Sequence, residues 1–437
     1  MTTTTEPSRP LRLPEPGDVL GRIAASAGDA VAAVQSALTA TVGVLTLVVI
    51  VAVVVIPRSR RPAGRLLRSV FVRWRWHRAL AAVRITGFGG RRAPVRRVRP
   101  VPAGDSLAVK VPAGGRVADL EEAGERLAAV LGAREIRVAR DGANAGRATV
   151  LIVRRDPLAR GPALRWPNVG APALSLWDPV PVGVDEHGRQ VSVLLPERNV
   201  LLGGEPGAGK SAGLSLFVAT AALDRSVRLW LLDGKMVELA AWGGCAERAA
   251  GVDVAEALDV LSGLRREMDE RYRTLLEGRR RKVTPDNGLP LHVVVCDELA
   301  HYLTAGDRKQ RGEFGDVLRD LVSRGRAAGI IVLAATQKPS ADVIPTSLRD
   351  LFGFRWAFRC STPQASDTIL GAGWATAGYS ASGIDAACRG VGFLLHEGGR
   401  PFRMRAYYLG DGDVAAVAAR AEALRAPSRS ELEGAER

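Results

Sequence analysis

The residues most able to do chemistry form one glycine-rich run, Gly-Glu-Pro-Gly-Ala-Gly-Lys-Ser. The run fits G-x-x-x-x-G-K-[ST], a pattern in which glycines let backbone N–H groups converge on phosphate oxygens. An apolar stretch at 199–202 precedes the run, and an apolar stretch at 212–223 that suits a helix follows it. A strand, a glycine loop and a helix in this order predict a nucleotide site rather than a chance turn before a buried helix. The predicted nucleotide-binding residues are Gly204, Glu205, Pro206, Gly207, Ala208, Gly209, Lys210 and Ser211.

An acidic pair adds the chemistry that phosphate binding alone lacks. Asp297 and Glu298 follow the apolar run 292–296, about 85 residues after the glycine loop. Successive apolar residues there indicate a strand buried on both faces, as in a parallel sheet. We expect Lys210 to reach the β- and γ-phosphates of ATP, and Ser211 and Asp297 to hold Mg²⁺. We expect Glu298 to polarise the attacking water as general base, which favours hydrolysis over a nucleotide-dependent switch.

One further polar residue and two arginines lie near a later strand. Gln337 follows the apolar stretch 329–336. A glutamine at the carboxyl end of a strand beside a glycine loop can sense the γ-phosphate or position water, although an ordinary strand end has the same pattern. Arg324 and Arg326 precede this strand on a predicted helix, and their position alone favours a solvated surface.

Alternating elements must position these side chains. Further strands are predicted at 227–233, at 354–360 and, as an edge hairpin, at 391–395 and 402–408, and a long helix is predicted at 254–276. This alternation around a glycine loop predicts an α/β domain of doubly wound, RecA-like P-loop NTPase type.

A smaller α+β unit is predicted ahead of this domain. Its expected strands are 107–111, 135–139 and 148–153, and its single expected helix is 117–131. The full predicted organisation is a polar tail (1–29), a transmembrane helix (30–57), a basic juxtamembrane segment (58–100), the small domain (101–156), a linker (157–182), the motor (183–410) and a carboxyl-terminal tail (411–437).

The amino-terminal third predicts a membrane anchor. No charged residue occurs from Ala30 to Pro57, and 38–56 is almost wholly apolar over the length of one membrane-spanning helix. The long leader and the absence of a small-residue cleavage site disfavour a signal peptide, and the uncharged length disfavours a buried core helix. Between Pro57 and Pro100 there are 14 Arg and no acidic residue, which predicts that the following side is cytoplasmic. We therefore expect a single-pass cell-membrane protein with a cytoplasmic motor.

Much of the net charge of +15 belongs to this basic segment, because the chain from Val101 onward is close to neutral. Trp74 and Trp76, set among arginines, suit the lipid headgroup region. DNA contact by the same arginines stays open as a secondary role. The four cysteines show no C-x-x-C and no metal-ligand spacing, so we expect them to be reduced and structural; they are Cys245, Cys296, Cys360 and Cys388.

Several motifs occurring in order resemble the FtsK/SpoIIIE family of DNA-translocating ATPases. The longest is 321–344, which contains Arg-Ala-Ala-Gly and Thr-Gln-Lys-Pro, and the others are 233–239, 267–272 and 366–370. The unit at 106–153 is similar to the family's domain that precedes the motor, so the resemblance covers about 106–410. It implies a homo-hexameric ring that threads double-stranded DNA with energy from ATP.

The resemblance also implies a role for an arginine. Arg326 matches the arginine that acts across the subunit interface in related ring ATPases, and Arg355 is the second candidate. Such an arginine requires an oligomer, because each site lacks one positive charge until the neighbouring subunit docks.

The chain departs from the family at several points. Gly234 stands where the family has proline in Asp-Pro-Lys, and Asp367 stands where it usually has arginine. One predicted span, a short linker and the lack of a winged-helix domain after Gly410 look more like the Tra transfer proteins of actinobacterial plasmids. We therefore expect a membrane-anchored, ATP-driven double-stranded DNA translocase for conjugative transfer. The alternatives are a chromosome-segregation translocase and an FtsK-related protein-secretion ATPase.

Overall fold

The computed structural model describes residues 57–159 and 161–426. The predicted transmembrane stretch 38–56 lies outside these residues, as do the tail 1–29 and the last part of the tail 411–437. Within the described ranges, no helix is both long and apolar enough to cross a bilayer.

The chain divides into two units, one built mainly before Ile152 and the other mainly from Ile152 onward. The first unit contains a four-stranded sheet in the order β1-β2-β4-β3 and three helices. Its elements are α1 (Pro57–Ala82), β1 (Val95–Val101), β2 (Gly104–Lys110), α2 (Val117–Glu122), α3 (Gly124–Leu131), β3 (Glu135–Arg140) and β4 (Arg147–Val153).

Three features of the first unit differ from the sequence prediction. The single helix expected at 117–131 is two helices, because the backbone leaves helical geometry at Ala123. The basic segment 58–100, for which no helix or strand was predicted, includes most of α1 and of β1. The assignment of Trp76 to the headgroup region is wrong, because Trp76 is fully buried and its Nε1 donates to the Ala93 carbonyl at 3.2 Å.

The second unit is organised around a ten-stranded mixed sheet. The strand order is β6-β5-β14-β13-β12-β7-β11-β10-β8-β9, and the strands from β12 to β9 are all parallel. The strands are β5 (Val180–Asp185), β6 (Gln190–Val193), β7 (Val200–Gly203), β8 (Arg228–Leu232), β9 (Ala246–Ala250), β10 (His292–Cys296), β11 (Ile330–Thr336), β12 (Phe354–Phe358), β13 (Val391–His396) and β14 (Phe402–Ala406).

Helices cover both faces of this sheet, which confirms a mixed α/β fold with a P-loop arrangement. The helices are α4 (Lys210–Ala222), α5 (Val254–Glu277), α6 (Leu299–Thr304), α7 (Arg308–Arg324), α8 (Thr346–Arg349), α9 (Pro363–Leu370) and α10 (Asp411–Arg425). Helices α4 and α10 share one hydrophobic core with the sheet, and α5 and α7 share the other. Alternate residues of β10 point into opposite cores, Val293 into the first and Val294 into the second. This two-sided burial explains why the central strands are continuous apolar runs.

The predicted edge hairpin at 391–408 is not at the edge. Strand β14 pairs antiparallel with β5, so the hairpin of β13 and β14 lies inside the sheet and β6 forms that edge. Within 157–182, the predicted linker, Trp166 and Leu176 are buried in the core beside α4. All four cysteines are buried and none forms a disulfide.

Candidate active site

The glycine loop joins β7 to α4 at the carboxyl edge of the parallel strands. Gly209 precedes the helix with φ +115°, a backbone conformation that residues with a side chain rarely adopt. A Cβ there would lie 2.6 Å from the Cα of Gly390. The Gly390 amide in turn donates to the Ala208 carbonyl at 2.9 Å. The loop is therefore held against the segment that leads into β13.

Lys210 begins α4 and is almost fully buried, at 3% exposure. Its Nζ donates to the backbone carbonyl of Asp297 at 2.9 Å. Burial lowers the pKa of Lys210, and the neighbouring cation Lys235 lowers it further. The lysine that the sequence assigned to the phosphates thus lies directly beside the acidic pair, two strands away in the sheet.

Asp297 follows β10 and is completely buried. Its Oδ1 accepts a hydrogen bond from the Gly234 amide at 2.8 Å, and its Oδ2 lies 3.6 Å from the Nζ of Lys235. Within the described residues, Oδ2 accepts no hydrogen bond. Burial raises the pKa of Asp297, while Lys235 and Lys210 oppose that effect. One carboxylate oxygen is fixed and the other is left available to a ligand.

Glu298 is held by the end of the neighbouring strand β11. Its Oε1 accepts from the Thr336 hydroxyl at 2.9 Å and from the Gln337 amide at 3.1 Å. Thr336 is fully buried and Glu298 is partly exposed, so this hydrogen bond is partly accessible to water. The structure therefore brings Gln337 to Glu298 through its main chain, whereas its side chain lines the cavity beside the glycine loop.

Lys235 is a member of this site that sequence reasoning left without a role. Its Nζ lies 3.6 Å from Asp297 Oδ2, 3.8 Å from Glu298 Oε2 and 3.9 Å from Glu238 Oε1. Asp233 shapes the loop that carries it, accepting from the amides of Lys235 and Leu239. The position of Lys235 could have been predicted from the order of the strands. β8 and β10 are parallel neighbours, so the loops that follow them lie close together.

A cavity of about 460 Å³ opens beside the glycine loop. On one side it is bounded by the loop and the start of α4, and on the other by the segment around Gly390 and by the end of β14. Its size suits a bound nucleotide. The side chains that line the far wall are Leu164, Arg389, Arg405, Tyr407 and Tyr408.

The segment 371–390, for which the sequence offered no account, provides part of this wall. Asp367 accepts hydrogen bonds from the amides of Gly373 and Ala375 at 2.9 and 2.8 Å, which fixes the start of the segment. Its end carries Arg389 to the cavity and Gly390 to the glycine loop. A glycine-rich composition is needed where two backbones approach this closely.

Sequence reasoning also assigned no role to Arg359, which lies beside the glycine loop. Arg359 follows β12, and its Nη1 lies 2.6 Å from Oε2 of Glu205 in the glycine loop. The Glu205 amide donates to the Arg359 carbonyl at 2.9 Å. Arg359 therefore neutralises an acidic side chain that would otherwise repel a nucleotide phosphate.

The two arginines predicted from the family resemblance lie elsewhere. Arg326 precedes β11 and its Nη2 is 3.5 Å from Glu397, while Thr336 ends the same strand at the glycine-loop edge. The strand spans about 20 Å at 3.3 Å per residue, so Arg326 is at the opposite edge from the site of its own chain. Arg355 lies near the start of β12, where its Nη1 contacts Asp350 at 3.2 Å and burial lowers its pKa.

Residues 178–290 match the sequence profile of the FtsK/SpoIIIE family. This segment is an FtsK/SpoIIIE family domain. The DNA translocase FtsK of Staphylococcus epidermidis is 31% identical over 217 residues, covering 45% of this chain and 27% of the relative. The DNA translocase FtsK of Corynebacterium glutamicum is 29% identical over 271 residues, covering 56% of this chain and 28% of the relative. The chain thus spans little more than a quarter of the length of these curated relatives.

A solved structure supports the fold of the region outside the FtsK domain as well. The conjugation coupling protein TcpA of pCW3, solved as a monomer with ATPγS, aligns with a TM-score of 0.51. The alignment covers 78% of this chain and 96% of TcpA at 18% identity. At that identity the likeness shows the P-loop NTPase fold and nothing about the substrate.

Proposed function

We propose that this chain is a membrane-anchored, ATP-hydrolysing translocase of double-stranded DNA that serves conjugative transfer. One observation carries the enzymatic part: Lys210, Asp297 and Glu298 converge at one edge of the sheet, with the main chain of Gln337 completing the group. This is the arrangement expected where a carboxylate acts as general base on water beside a bound phosphate. The DNA part is supported by the FtsK domain and by relatives that are named DNA translocases.

The residues fit ATP with magnesium. Asp297 offers a buried carboxylate oxygen with no hydrogen-bond donor among the described residues, and Ser211 lies at the start of α4 on the cavity wall. An oxygen-rich pair of this kind suits Mg²⁺, which would neutralise phosphate charge when bound. Lys210 would contact the β- and γ-phosphates, and loop amides that donate to no carbonyl of the described residues, such as those of Gly207 and Gly209, would surround them. Glu298 would accept the proton of the attacking water, and the Gln337 side chain would orient that water.

A hexameric ring with Arg326 acting in trans is the proposed assembly. Arg326 lies about 20 Å from its own site along β11, which supports a role at a neighbour's site over a role at its own. Mixing Glu298→Ala and Arg326→Ala subunits tests this arrangement. Some interfaces would then pair an intact Glu298 with an intact Arg326, about a quarter of them after random mixing, and activity should reappear.

The matched control mixes Glu298→Ala with Lys210→Ala subunits. These residues lie in one site of one subunit, since Lys210 donates to the carbonyl of Asp297, which precedes Glu298, so no interface of that mixture has a complete site. Recovery in the first mixture and none in the second supports catalysis in trans. If neither mixture recovers although subunits exchange, Arg326 has no role at the interface.

The decisive test of the DNA-pump proposal is the ATPase rate with and without linear double-stranded DNA. We expect DNA to stimulate the wild-type chain and Lys210→Ala to hydrolyse nothing under either condition. A chain that hydrolyses ATP but neither binds DNA nor responds to it would not be a DNA translocase, and the protein-secretion alternative would then gain support.

The choice between conjugation and chromosome segregation needs a cellular readout. The relatives named FtsK favour general DNA translocation, and TcpA contributes only its fold. Glu298→Gln expressed in place of the wild-type chain should abolish transfer to recipient cells. Normal transfer combined with unpartitioned chromosomes would instead assign the motor to segregation.

A further inference from the structure

The amphipathic helix α1 has two apolar faces, of which only one packs against its own unit. Val72, Trp76, Ala79 and Leu80 are buried, at the i, i+4, i+7 and i+8 positions of one face. Helix α1 contacts α3, and Trp76 donates to the carbonyl of Ala93, two residues before β1. This face accounts for the position of the helix in the fold.

The opposite face is apolar and exposed. Leu67, Val70, Phe71 and Trp74 are spaced at i, i+3, i+4 and i+7, and 52 to 67% of their surface remains accessible. Together with Leu66 they form what we call the outer stripe. Exposed single leucines are ordinary, but five large apolar side chains on one helix face are a docking surface.

Arginines surround the outer stripe. The Arg78 guanidinium lies 4.7 Å from the Trp74 ring centroid, and that of Arg75 lies 5.9 Å from the Phe71 ring centroid. Arg73 donates to the carbonyls of Val95 and Arg96, which ties strand β1 to the helix. Further exposed arginines nearby in the chain are Arg91, Arg92, Arg96, Arg97 and Arg99. No acidic residue occurs from Pro57 to Ala103.

We propose that α1 lies flat on an anionic bilayer surface, with the outer stripe in the headgroup–acyl boundary and the arginines on lipid phosphates. An apolar face bordered by arginine and carrying tryptophan is the composition of interfacial helices. The inference rests on the proposed membrane location, because the apolar stretch 38–56 ends one residue before α1 begins. It adds a second, charge-dependent contact to the anchor.

Two other occupants fit the observations less well. A second copy of α1 would place one arginine border against another, and like charges at close range repel. The chain's own stretch 38–56 is uncharged and would leave the arginines without partners. Anionic lipid satisfies both the apolar stripe and its basic border.

The test uses the full chain reconstituted into vesicles and spin-labelled at single new cysteines. All four native cysteines are buried, so labelling is directed to the new site. Leu67→Cys and Trp74→Cys report on the outer stripe, and Glu125→Cys, exposed on α3, is the matched control. Collision with oxygen, which partitions into lipid, is compared with collision with a water-soluble nickel chelate.

With phosphatidylglycerol in the vesicles, the ratio of oxygen to nickel collisions should rise several-fold at 67 and 74 and stay unchanged at 125. In phosphatidylcholine alone, or as the Debye length falls from about 10 to 3 Å between 0.1 and 1 M salt, the rise should be much smaller. Labels that stay water-accessible on anionic vesicles refute the proposal. Labels that are buried whatever the lipid charge indicate that 38–56 covers the outer stripe. Spin–spin coupling that is lost on dilution with unlabelled chain indicates that a second copy covers it. Either result overturns the proposal.

Alkaline carbonate extraction of the same vesicles keeps this inference separate from the anchor. Release by carbonate contradicts the membrane span, whereas the label accessibilities decide the position of α1. ATPase stimulation by DNA, measured in parallel, reports on the motor independently of both.

Discussion

The hydrogen bond between Thr336 and Glu298 gives the sharpest prediction. Thr336 is fully buried at the end of β11, and its hydroxyl is 2.9 Å from Glu298 Oε1. Thr336→Val keeps the branched shape of the side chain and removes the hydroxyl, which donates to Glu298 and accepts from the Lys338 amide at 3.2 Å. The Gln337 amide still contacts both carboxylate oxygens, so Glu298 loses one of its restraints and remains near the site.

The expected magnitude follows from the charge of the acceptor. A hydrogen bond to a charged group contributes about 1.5–3 kcal/mol, more than a bond between neutral partners. If Thr336 positions the general base, that energy is lost in the transition state, and each 1.36 kcal/mol is tenfold in rate. We expect kcat for ATP to fall about 10- to 150-fold, with KM little changed because the hydroxyl is not placed on the nucleotide.

Steady-state ATPase kinetics with double-stranded DNA present would measure this effect. Thr336→Ser retains the hydroxyl and is the matched control, which should keep most of the wild-type kcat. In a Glu298→Gln background, Thr336→Val should lower kcat little further, because both substitutions act through one carboxylate. An unchanged kcat in Thr336→Val, or equal loss in the valine and serine variants, would refute the positioning role.

Three further predictions follow from the site and its supporting strands. Gly209→Ala places a Cβ 2.6 Å from the Cα of Gly390 at a positive φ, so ATP binding measured by calorimetry should be lost and the unfolding free energy should fall by about 1–3 kcal/mol. Lys235→Met removes the cation between two carboxylates and should lower the unfolding free energy, measured in chelator, by about 1–3 kcal/mol. Added Mg²⁺ should raise the unfolding free energy of this variant more than that of the wild type. Lys338→Met is the exposed control. Burial lowers the pKa of His292, so the unfolded chain binds a proton that the folded chain excludes, and stability is lost as the pH falls below about 6.5. His292→Asn should therefore lose less stability than the wild type between pH 7 and 5 in urea titrations.

The strands that carry the site could be predicted because they are buried on both faces. β10 has four successive apolar residues from Val293 to Cys296 and β11 has six from Ile330 to Ala335, and each strand begins and ends within about one residue of its predicted bounds. The predicted grouping of Lys210, Asp297 and Glu298 required only that the strands before them, β7 and β10, be parallel members of one sheet, in which β11 lies between them. That they meet at one edge of the sheet is then a consequence of topology.

Elements with mixed faces were not predictable in the same way. β9 reads Ala-Glu-Arg-Ala-Ala, and only its last residue is buried, so it has neither an apolar run nor clear alternation. Arg359 and Arg389 reach the site only through tertiary contacts of β12 and β13, which no local pattern encodes. Trp74 and Trp76 differ by two residues on one helix, and their opposite environments depend on which face the small sheet covers.

The two departures from the family motifs have structural explanations that bear on the catalytic site. Where the family has proline, Gly234 has an amide, and that amide donates to Asp297 Oδ1 at 2.8 Å. Proline has no N–H and could not make this bond. Asp297 in this chain is therefore oriented by a main-chain donor, which leaves Oδ2 as the oxygen that faces Lys235.

Asp367, the second departure, also hydrogen-bonds to main-chain amides. Its carboxylate accepts from two amides of the segment that leads to Gly390, and Gly390 donates to the loop at Ala208. An arginine at 367 has no acceptor and could not hold that turn. Both substitutions therefore replace a motif residue with one that hydrogen-bonds main chain near the site. Both contacts hold main chain at the edge of the sheet where Lys210 and Asp297 meet.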